Sequence, residues 1–157
     1  MARPSGPSCN NSGVNAAINT PQSGVWVERT GSATYRGVSA TGARVLIGRA
    51  GNGPVFTPGE LLQLALAACS AMSSDAQLES VLGPNFEAIT KAVPVKDGAA
   101  DRFAEFNETM EIDLSALTPE AKQKLINSAL NKIAINCTVG NTIVASAKVP
   151  PLEFIQP

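Results

Sequence analysis

The chain has 157 residues, the length of one domain, and its 12 basic and 13 acidic side chains give a net charge of −1. This balance provides no electrostatic reason to expect a nucleic-acid partner. The sequence has no histidine, which excludes Ser-His-Asp and Cys-His catalytic arrangements, and its three cysteines leave few ligands for a metal. We therefore expect neither a metal nor another cofactor.

The first 23 residues are rich in Pro, Gly, Ser and Asn and show neither helical nor strand periodicity. We expect a disordered leader over residues 1–23, which contains Cys9, followed by a single domain over residues 24–157. The sequence shows no secretory signal and no apolar run long enough to span a bilayer. We therefore expect a cytoplasmic protein without a membrane partner.

Three short runs of β-prone residues follow, at 25–27, 33–35 and 45–47, and two Thr-Gly pairs separate them. This pattern predicts an antiparallel meander. Thr57 as a cap and Pro58 at the first helical position then predict a long helix that ends at Gly83-Pro84. Residues 61–72 are apolar on nearly every face, which predicts a helix surrounded by protein and favours a homodimer.

The second half of the chain predicts a hairpin, a second helix and a final strand. The hairpin strands are expected over residues 86–95 and 103–114, on either side of a turn-rich segment. A second helix should begin at Thr118 and end near Cys137, and residues 142–149 should form a last strand. This order is typical of an α+β fold in which two long helices pack against antiparallel sheet.

Cys69 and Cys137 are the residues most able to carry chemistry. Cys69 lies at the centre of the first predicted helix among apolar neighbours, and burial there raises the pKa of a thiol. The N-terminus of that helix is roughly 15 Å away, so a reactive Cys69 needs an Arg or Lys from elsewhere. Cys137 also faces inward, because it continues the apolar stripe of the second helix. The spacing leaves two interpretations open, a redox pair or two unrelated small hydrophobic residues.

Two stretches of the sequence resemble a known family. Residues 56–62, FTPGELL, continued by LALAAC at 64–69, resemble the active-site helix of the OsmC/Ohr family of thiol-dependent hydroperoxide reductases. Residues 137–142, CTVGNT, resemble the segment that holds the second cysteine of the family. The resemblance covers residues 25–149 and implies an OsmC-like fold, an intertwined homodimer and active sites at the subunit interface. It also implies that Cys69 attacks the peroxide, Cys137 resolves the sulfenic acid and an external dithiol restores both.

The resemblance further implies an activating Arg 20 residues before the reactive cysteine, which here is Arg49. In the family a Glu directly after the Pro orients this Arg, but that position is Gly59, and Glu60 follows one residue later. A helical step of about 100° turns Glu60 to another face, so it is either a substitute clamp or a residue that stabilises the helix N-terminus. Three other arginines of the meander compete with Arg49 for the activating role: Arg29, Arg36 and Arg44.

Two functions remain from the sequence. The first is a thiol peroxidase for organic hydroperoxides, for which Leu62, Leu66 and Met72 would provide an apolar lining. The second is a noncatalytic OsmC-like dimer that binds a hydrophobic small molecule or has a structural role in stress, which the departure at Gly59 favours.

Overall fold

The computed structural model describes residues 21–146, 149, 151 and 152. Cys9 and residues 1–20 of the expected leader lie outside these described residues. The described part is a mixed structure of antiparallel strands and helices, so the predicted α+β class is confirmed. Its elements are β1 (Val25–Gly31), β2 (Thr34–Ser39), β3 (Arg44–Gly48), α1 (Pro58–Leu82), β4 (Ala88–Asp97), β5 (Arg102–Ile112), α2 (Pro119–Asn136) and α3 (Thr138–Ala145).

The strands form two separate antiparallel sheets. β1, β2 and β3 make the predicted meander in that order, with Gly37 of β2 opposite Val27 on one side and Val45 on the other. β4 and β5 make the predicted hairpin, whose register shifts at Val95 and Lys96. A parallel bridge between Ile47 and Phe56 then leads the chain from the meander into α1.

α1 begins and ends where the sequence predicts. The Thr57 side chain accepts a hydrogen bond from the Glu60 N–H, and the Glu60 carboxylate accepts one from the Thr57 N–H, which together form a capping box. Pro58 occupies the first helical position, and Gly83 caps the C-terminus with its N–H bonded to the Glu79 carbonyl.

The core lies between α1, α2, α3 and the hairpin. One cluster of buried side chains includes Leu66, Ala92 and Cys137, and a second joins Leu78 to Leu125 and Ala129. Each helix thus contributes one face to a core that it shares with the hairpin. Within the part of the chain that the structure describes, no helix is both long and apolar enough to cross a membrane.

A single chain does not surround α1 with protein. Its buried side chains follow one stripe of the helix, while Leu62, Leu64 and Met72 are exposed, Met72 to 78%. The three-stranded sheet also leaves apolar side chains uncovered, with Val25 83% exposed. One protomer therefore covers only one face of its most apolar helix.

The predicted last strand over residues 142–149 is wrong for the residues of this range that the structure describes. Residues 142–145 belong to α3, and Ser146 ends this helix in the left-handed conformation. The run is rich in β-branched residues, which favour strands by propensity. Val139 and Ile143 instead pack against the core around Leu66, and burial of an apolar helix face outweighs such a preference.

Candidate active site

Cys69 and Cys137 lie next to each other in the core, as the interpretation as a redox pair requires. α1 carries Cys69 at its middle, and Cys137 is at once the C-cap of α2 and the N-cap of α3. Cys137 is 2% exposed, Cys69 is partly buried, and both are free thiols. Because α3 starts directly at Cys137, its first turn faces the centre of α1.

Hydrogen bonds to the Cys69 sulfur lower the pKa of its thiol. The largest contribution is the backbone N–H of Val139, followed by a hydrogen bond from the Cys137 side chain. Burial opposes this shift by raising the pKa, and smaller contributions from the Thr138 N–H and the Ser73 hydroxyl lower it again. The net result favours a thiolate at Cys69.

The neighbouring thiol is shifted in the other direction. Burial is the largest cause that raises the pKa of Cys137, and its hydrogen bond to Cys69 raises it further. The Gly140 N–H, 3.3 Å from the Cys137 sulfur, and the Ser70 hydroxyl, 3.7 Å away, oppose this shift. Cys69 therefore ionises at a lower pH than Cys137 does.

The first turn of α3 donates hydrogen bonds to both sulfurs. The first N–H groups of a helix have no acceptor within the helix, and they carry the positive end of the helix dipole. Here Thr138 and Val139 direct theirs to Cys69, and Gly140 directs its own to Cys137. The sequence called for a cation near Cys69, and the partial charge of this helix end meets part of that requirement. The sequence does not reveal this helix end, because the β-branched residues that follow favour a strand by propensity.

Gly140 packs closely against the Cys137 sulfur. A Cβ on this residue would lie 3.1 Å from the Cys137 sulfur and 3.6 Å from the Leu66 side chain. The lack of a side chain lets the Gly140 N–H approach the sulfur. This residue was not singled out from the sequence, although it lies within the CTVGNT stretch.

Arg49 is placed away from these contacts in the single chain. It follows β3 in an exposed turn, and its carbonyl accepts a hydrogen bond from the Asn52 N–H. Its charge is not among the causes that shift the pKa of Cys69. Of the competing arginines, Arg36 pairs with Glu28 at 2.6 Å within the meander.

Glu60 caps the N-terminus of α1. Its carboxylate accepts hydrogen bonds from the Thr57 N–H at 2.7 Å and the Thr57 hydroxyl at 2.9 Å. These bonds, the backbone one first, lower the pKa of the exposed Glu60 carboxyl. Gly59, where the family resemblance would place a Glu, faces Phe103: a Cβ there would lie 2.9 Å from the ring. The Phe103 ring thus lies where a side chain at position 59 would begin.

A cavity of about 530 Å³ lies beside the pair and is bordered by Cys137, β5 and the ends of α2 and α3. Its walls include Leu66, Phe103, Phe106 and Ile133. The two phenylalanine rings meet edge to face, with centroids 5.3 Å apart. Among the described residues, no group of three or more Cys, Asp or Glu side chains is arranged to hold a metal ion.

Comparisons with known proteins indicate the family and the fold of the chain. The family model described as OsmC-like protein matches residues 51–150, a range that contains both cysteines and begins two residues after Arg49. An uncharacterized protein of Mycobacterium tuberculosis is 44% identical over 125 residues, which cover 80% of this chain and 91% of that protein. An uncharacterized protein of Mycobacterium bovis matches to the same extent.

Solved structures show the same fold. An OsmC-like protein of unknown function from Vibrio cholerae superimposes with a TM-score of 0.56 at 11% identity, covering 78% of this chain and 94% of that one. A hypothetical protein from Aquifex aeolicus gives a TM-score of 0.56 at 14% identity, covering 81% and 90% of the two chains. At such low identity, these likenesses establish the fold alone.

Proposed function

Because this chain belongs to the family of OsmC-like proteins, we propose that it is a thiol peroxidase that reduces organic hydroperoxides through Cys69 and Cys137. The observation that carries this proposal is the pairing of two core thiols at the first turn of α3. Hydrogen bonds lower the pKa of Cys69, while burial raises the pKa of Cys137. A thiolate next to a protonated thiol is what a two-cysteine peroxidase requires.

In the first step, the Cys69 thiolate attacks the distal oxygen of the hydroperoxide. A sulfur–oxygen bond forms as the peroxide bond breaks, and the alkoxide takes a proton and leaves as an alcohol. Cys69 becomes a sulfenic acid. The backbone N–H groups of Val139 and Thr138 stabilise the thiolate before the attack.

In the second step, the Cys137 sulfur attacks the Cys69 sulfenic acid. A bond forms between the two sulfurs, the sulfenic oxygen leaves as water with the thiol proton, and a disulfide results. The Gly140 N–H and the Ser70 hydroxyl favour the thiolate of Cys137 and so assist this attack. An external dithiol then reduces the disulfide and is itself oxidised.

We assign Arg49 to the activation of Cys69 across a homodimer interface. The exposed apolar side chains of α1 and of the three-stranded sheet support such a dimer, because a second copy would remove them from water. Arg49 lies in an exposed turn at the end of that sheet, where it is available to a second copy. Glu60 remains a cap of α1 in this scheme, because its carboxylate is already engaged by Thr57.

The proposed thiol chemistry also favours one cellular compartment. Two reduced cysteines at a site that cycles through a disulfide need a reducing environment, and this favours the cytoplasm.

A noncatalytic binding dimer is the second candidate, and one contact favours it. The Phe103 ring lies against Gly59, where the family resemblance would place the Glu that orients Arg49. An Arg49 without its clamp would give weaker activation of Cys69.

Thiol titration separates the two candidates. In full-length Cys9→Ser protein, one equivalent of cumene hydroperoxide should remove two titratable thiols, and mass spectrometry should find the link between Cys69 and Cys137. Sedimentation should show a dimer of the 16.2 kDa chain. Two intact thiols in a folded dimer would contradict the enzyme and support the binding protein, and a monomer would contradict the role given to Arg49.

A further inference from the structure

Two buried serines lie one turn apart on α1 and use their hydroxyl groups differently. Ser74 is fully buried, and its hydroxyl donates to the Ser70 and Ala71 carbonyls of its own helix, both at 3.1 Å. Ser70 is 3% exposed, and its hydroxyl lies 3.7 Å from the Cys137 sulfur at the start of α3. A serine inside a helix commonly bonds to the carbonyl four residues before it, as Ser74 does. Ser70 instead directs its hydroxyl to another element of the fold.

The contacts of Cys137 decide the direction of this hydrogen bond. A thiol has one proton to donate, and the Cys137 thiol directs it to the Cys69 sulfur. The Cys137 sulfur therefore accepts the hydrogen bond from Ser70, as it accepts one from the Gly140 N–H at 3.3 Å. The chain of hydrogen bonds runs from Ser70 through Cys137 to Cys69.

The two donors to the Cys137 sulfur differ in the element that carries them. Gly140 belongs to α3, which starts directly after Cys137, so its N–H moves together with this cysteine. Ser70 belongs to α1 and follows Cys69 directly in the sequence. Of these two hydrogen bonds, the one from Ser70 is the one that ties the Cys137 sulfur to the helix that carries Cys69.

We propose that Ser70 is a positioning residue for the resolving step and thereby sets how readily Cys69 is overoxidised. The proposal rests on the proposed function, since it concerns the fate of the Cys69 sulfenic acid. In this step an electron pair of the Cys137 sulfur forms the bond to the Cys69 sulfur. The sulfur–oxygen bond breaks with its electron pair on oxygen, and the proton of the Cys137 thiol completes the water that leaves. Ser70 keeps its own proton and holds the attacking sulfur by its hydrogen bond.

The resolving step competes with a second oxidation of Cys69. A further hydroperoxide transfers one oxygen to the sulfenic sulfur, which becomes sulfinic acid while the hydroperoxide is reduced to an alcohol. Without the Ser70 hydroxyl, the Cys137 sulfur keeps its donor in α3 and loses its donor in α1. Closure of the disulfide then slows, whereas the second oxidation does not involve Cys137. Ser70 therefore sets the hydroperoxide concentration at which the protein is inactivated.

The competition can be measured in full-length Cys9→Ser protein with excess cumene hydroperoxide. Ser70→Ala should raise the ratio of Cys69 sulfinic acid to disulfide by about threefold, the effect of one weak hydrogen bond. Ser74→Ala is the matched control, because it removes a buried hydroxyl that bonds to its own helix, and it should keep the parent ratio. Alanine favours helices, so both variants should fold, which thermal melting checks.

Peptide mass spectrometry gives the ratio of the two products in each variant. An unchanged ratio in Ser70→Ala, or an equal change in Ser74→Ala, would overturn the proposal.

The pH dependence separates a role through Cys137 from a general loosening of the core. The Ser70 hydroxyl lowers the pKa of the Cys137 thiol, so its loss raises that pKa. The rate of disulfide closure should therefore reach half its maximum at a higher pH in Ser70→Ala than in the parent. Trapping of the remaining sulfenic acid with dimedone at successive times measures this rate. A rate lowered by the same factor at every pH would indicate loosening and would overturn the proposal.

Closure can also be followed without a peroxide. Diamide adds to the Cys69 thiolate, and the Cys137 sulfur then displaces the hydrazine, which leaves with the thiol proton as the disulfide forms. Ser70→Ala should slow this closure by about threefold, and Ser74→Ala should leave it at the parent rate. Equal rates in the two variants, or failure of diamide to close the disulfide, would overturn the proposal. The expected result in a protein that does not consume cumene hydroperoxide would refute the proposed function and leave the positioning of Cys137 by Ser70 standing.

Discussion

The N-termini of α1 and α3 satisfy the same kind of backbone group with different acceptors. At α1, Thr57 and Glu60 bind each other's N–H groups, and both belong to the same short segment. At α3, the acceptors are the sulfurs of Cys137 and Cys69, and Cys69 belongs to another helix. An oxygen acceptor from the same segment stabilises the helix. A sulfur acceptor from another helix is itself stabilised as a thiolate by the N–H groups that bind it. The first N–H groups of a helix thus provide stability at α1 and lower the pKa of a thiol at α3.

Removal of the sulfur acceptors should have the largest effect. Cys69→Ser should abolish the consumption of cumene hydroperoxide, because a serine hydroxyl is a weak nucleophile at neutral pH. Cys137→Ser should react once and then stall as a sulfenic acid that is open to overoxidation. A buried hydroxyl can cost about 1–3 kcal/mol, so thermal melting should accompany the assay. Sustained turnover by folded Cys69→Ser would contradict the assignment of the nucleophile.

The two sulfurs should also differ in their dependence on pH. The pKa of Cys69 lies below its ordinary value of 9.0, mainly through the Val139 N–H, and burial holds the pKa of Cys137 above that value. Alkylation of Cys69 by iodoacetamide should therefore rise at a lower pH than alkylation of Cys137. Peptide mass spectrometry across a pH series measures both rates, and coincident curves would contradict the comparison.

The same shifts affect folding stability with opposite signs. The thiol of Cys69 has a lowered pKa in the folded state, so its contribution to stability is present above the unfolded pKa and is lost as the pH falls through the folded value. Cys137 has a raised pKa, so its contribution is present below the unfolded pKa and is lost as the pH rises through the folded value. Comparison of Cys137→Ser with the parent protein in urea unfolding should show the second effect above pH 9.0.

A smaller effect is expected when one amide of α3 is removed. Thr138 is the first residue of α3, where proline fits, and Cys137 before it has a ψ of 89°, outside the α region that a following proline disfavours. Thr138→Pro should raise the pKa of Cys69 and slow its alkylation at neutral pH by about threefold, the effect of one weak hydrogen bond. Thr138→Ala keeps the N–H and is the matched control. Equal rates in both variants would show that this amide does not contribute.

A change at the N-terminus of α1 should leave the reactivity of Cys69 unaltered. Thr57→Ala removes the side-chain acceptor of the capping box and should lower the free energy of unfolding by about 1 kcal/mol. The rate at which Cys69 is alkylated should stay at the parent value, because this cap lies three turns from the thiol. A urea titration measures the first quantity and iodoacetamide the second. A changed alkylation rate would remove the distinction between the two helix ends.

Local signals in the sequence were sufficient for the boundaries of α1 and α2. Thr57-Pro58 and Thr118-Pro119 are caps that act within a few residues of the helix they start, so each can be read without knowledge of the rest of the chain. The inward orientation of Cys137 likewise followed from the apolar stripe of α2, and the structure confirms its burial. These predictions held because the interactions behind them are local.

The exposed face of α1 and the whole of α3 could not be read in this way. The composition of α1 shows that much of its surface needs cover, but which face one protomer leaves open depends on where α2 and β4 pack. The residues of α3 favour a strand by propensity, and only their packing against Leu66 and Cys137 makes a helix the better solution.

The α+β class, the meander, the two long helices and the two inward-facing thiols can therefore be predicted from residue patterns alone. Tertiary structure decided which group lowers the pKa of Cys69. Sequence reasoning could measure only the distance from Cys69 to the start of its own helix, roughly ten residues of rise away. The amides that bind its sulfur belong to Thr138 and Val139, about 70 positions along the chain, and only packing of α3 against α1 brings them there. Hydrogen bonds depend on separation in space, and separation along the chain does not reveal it.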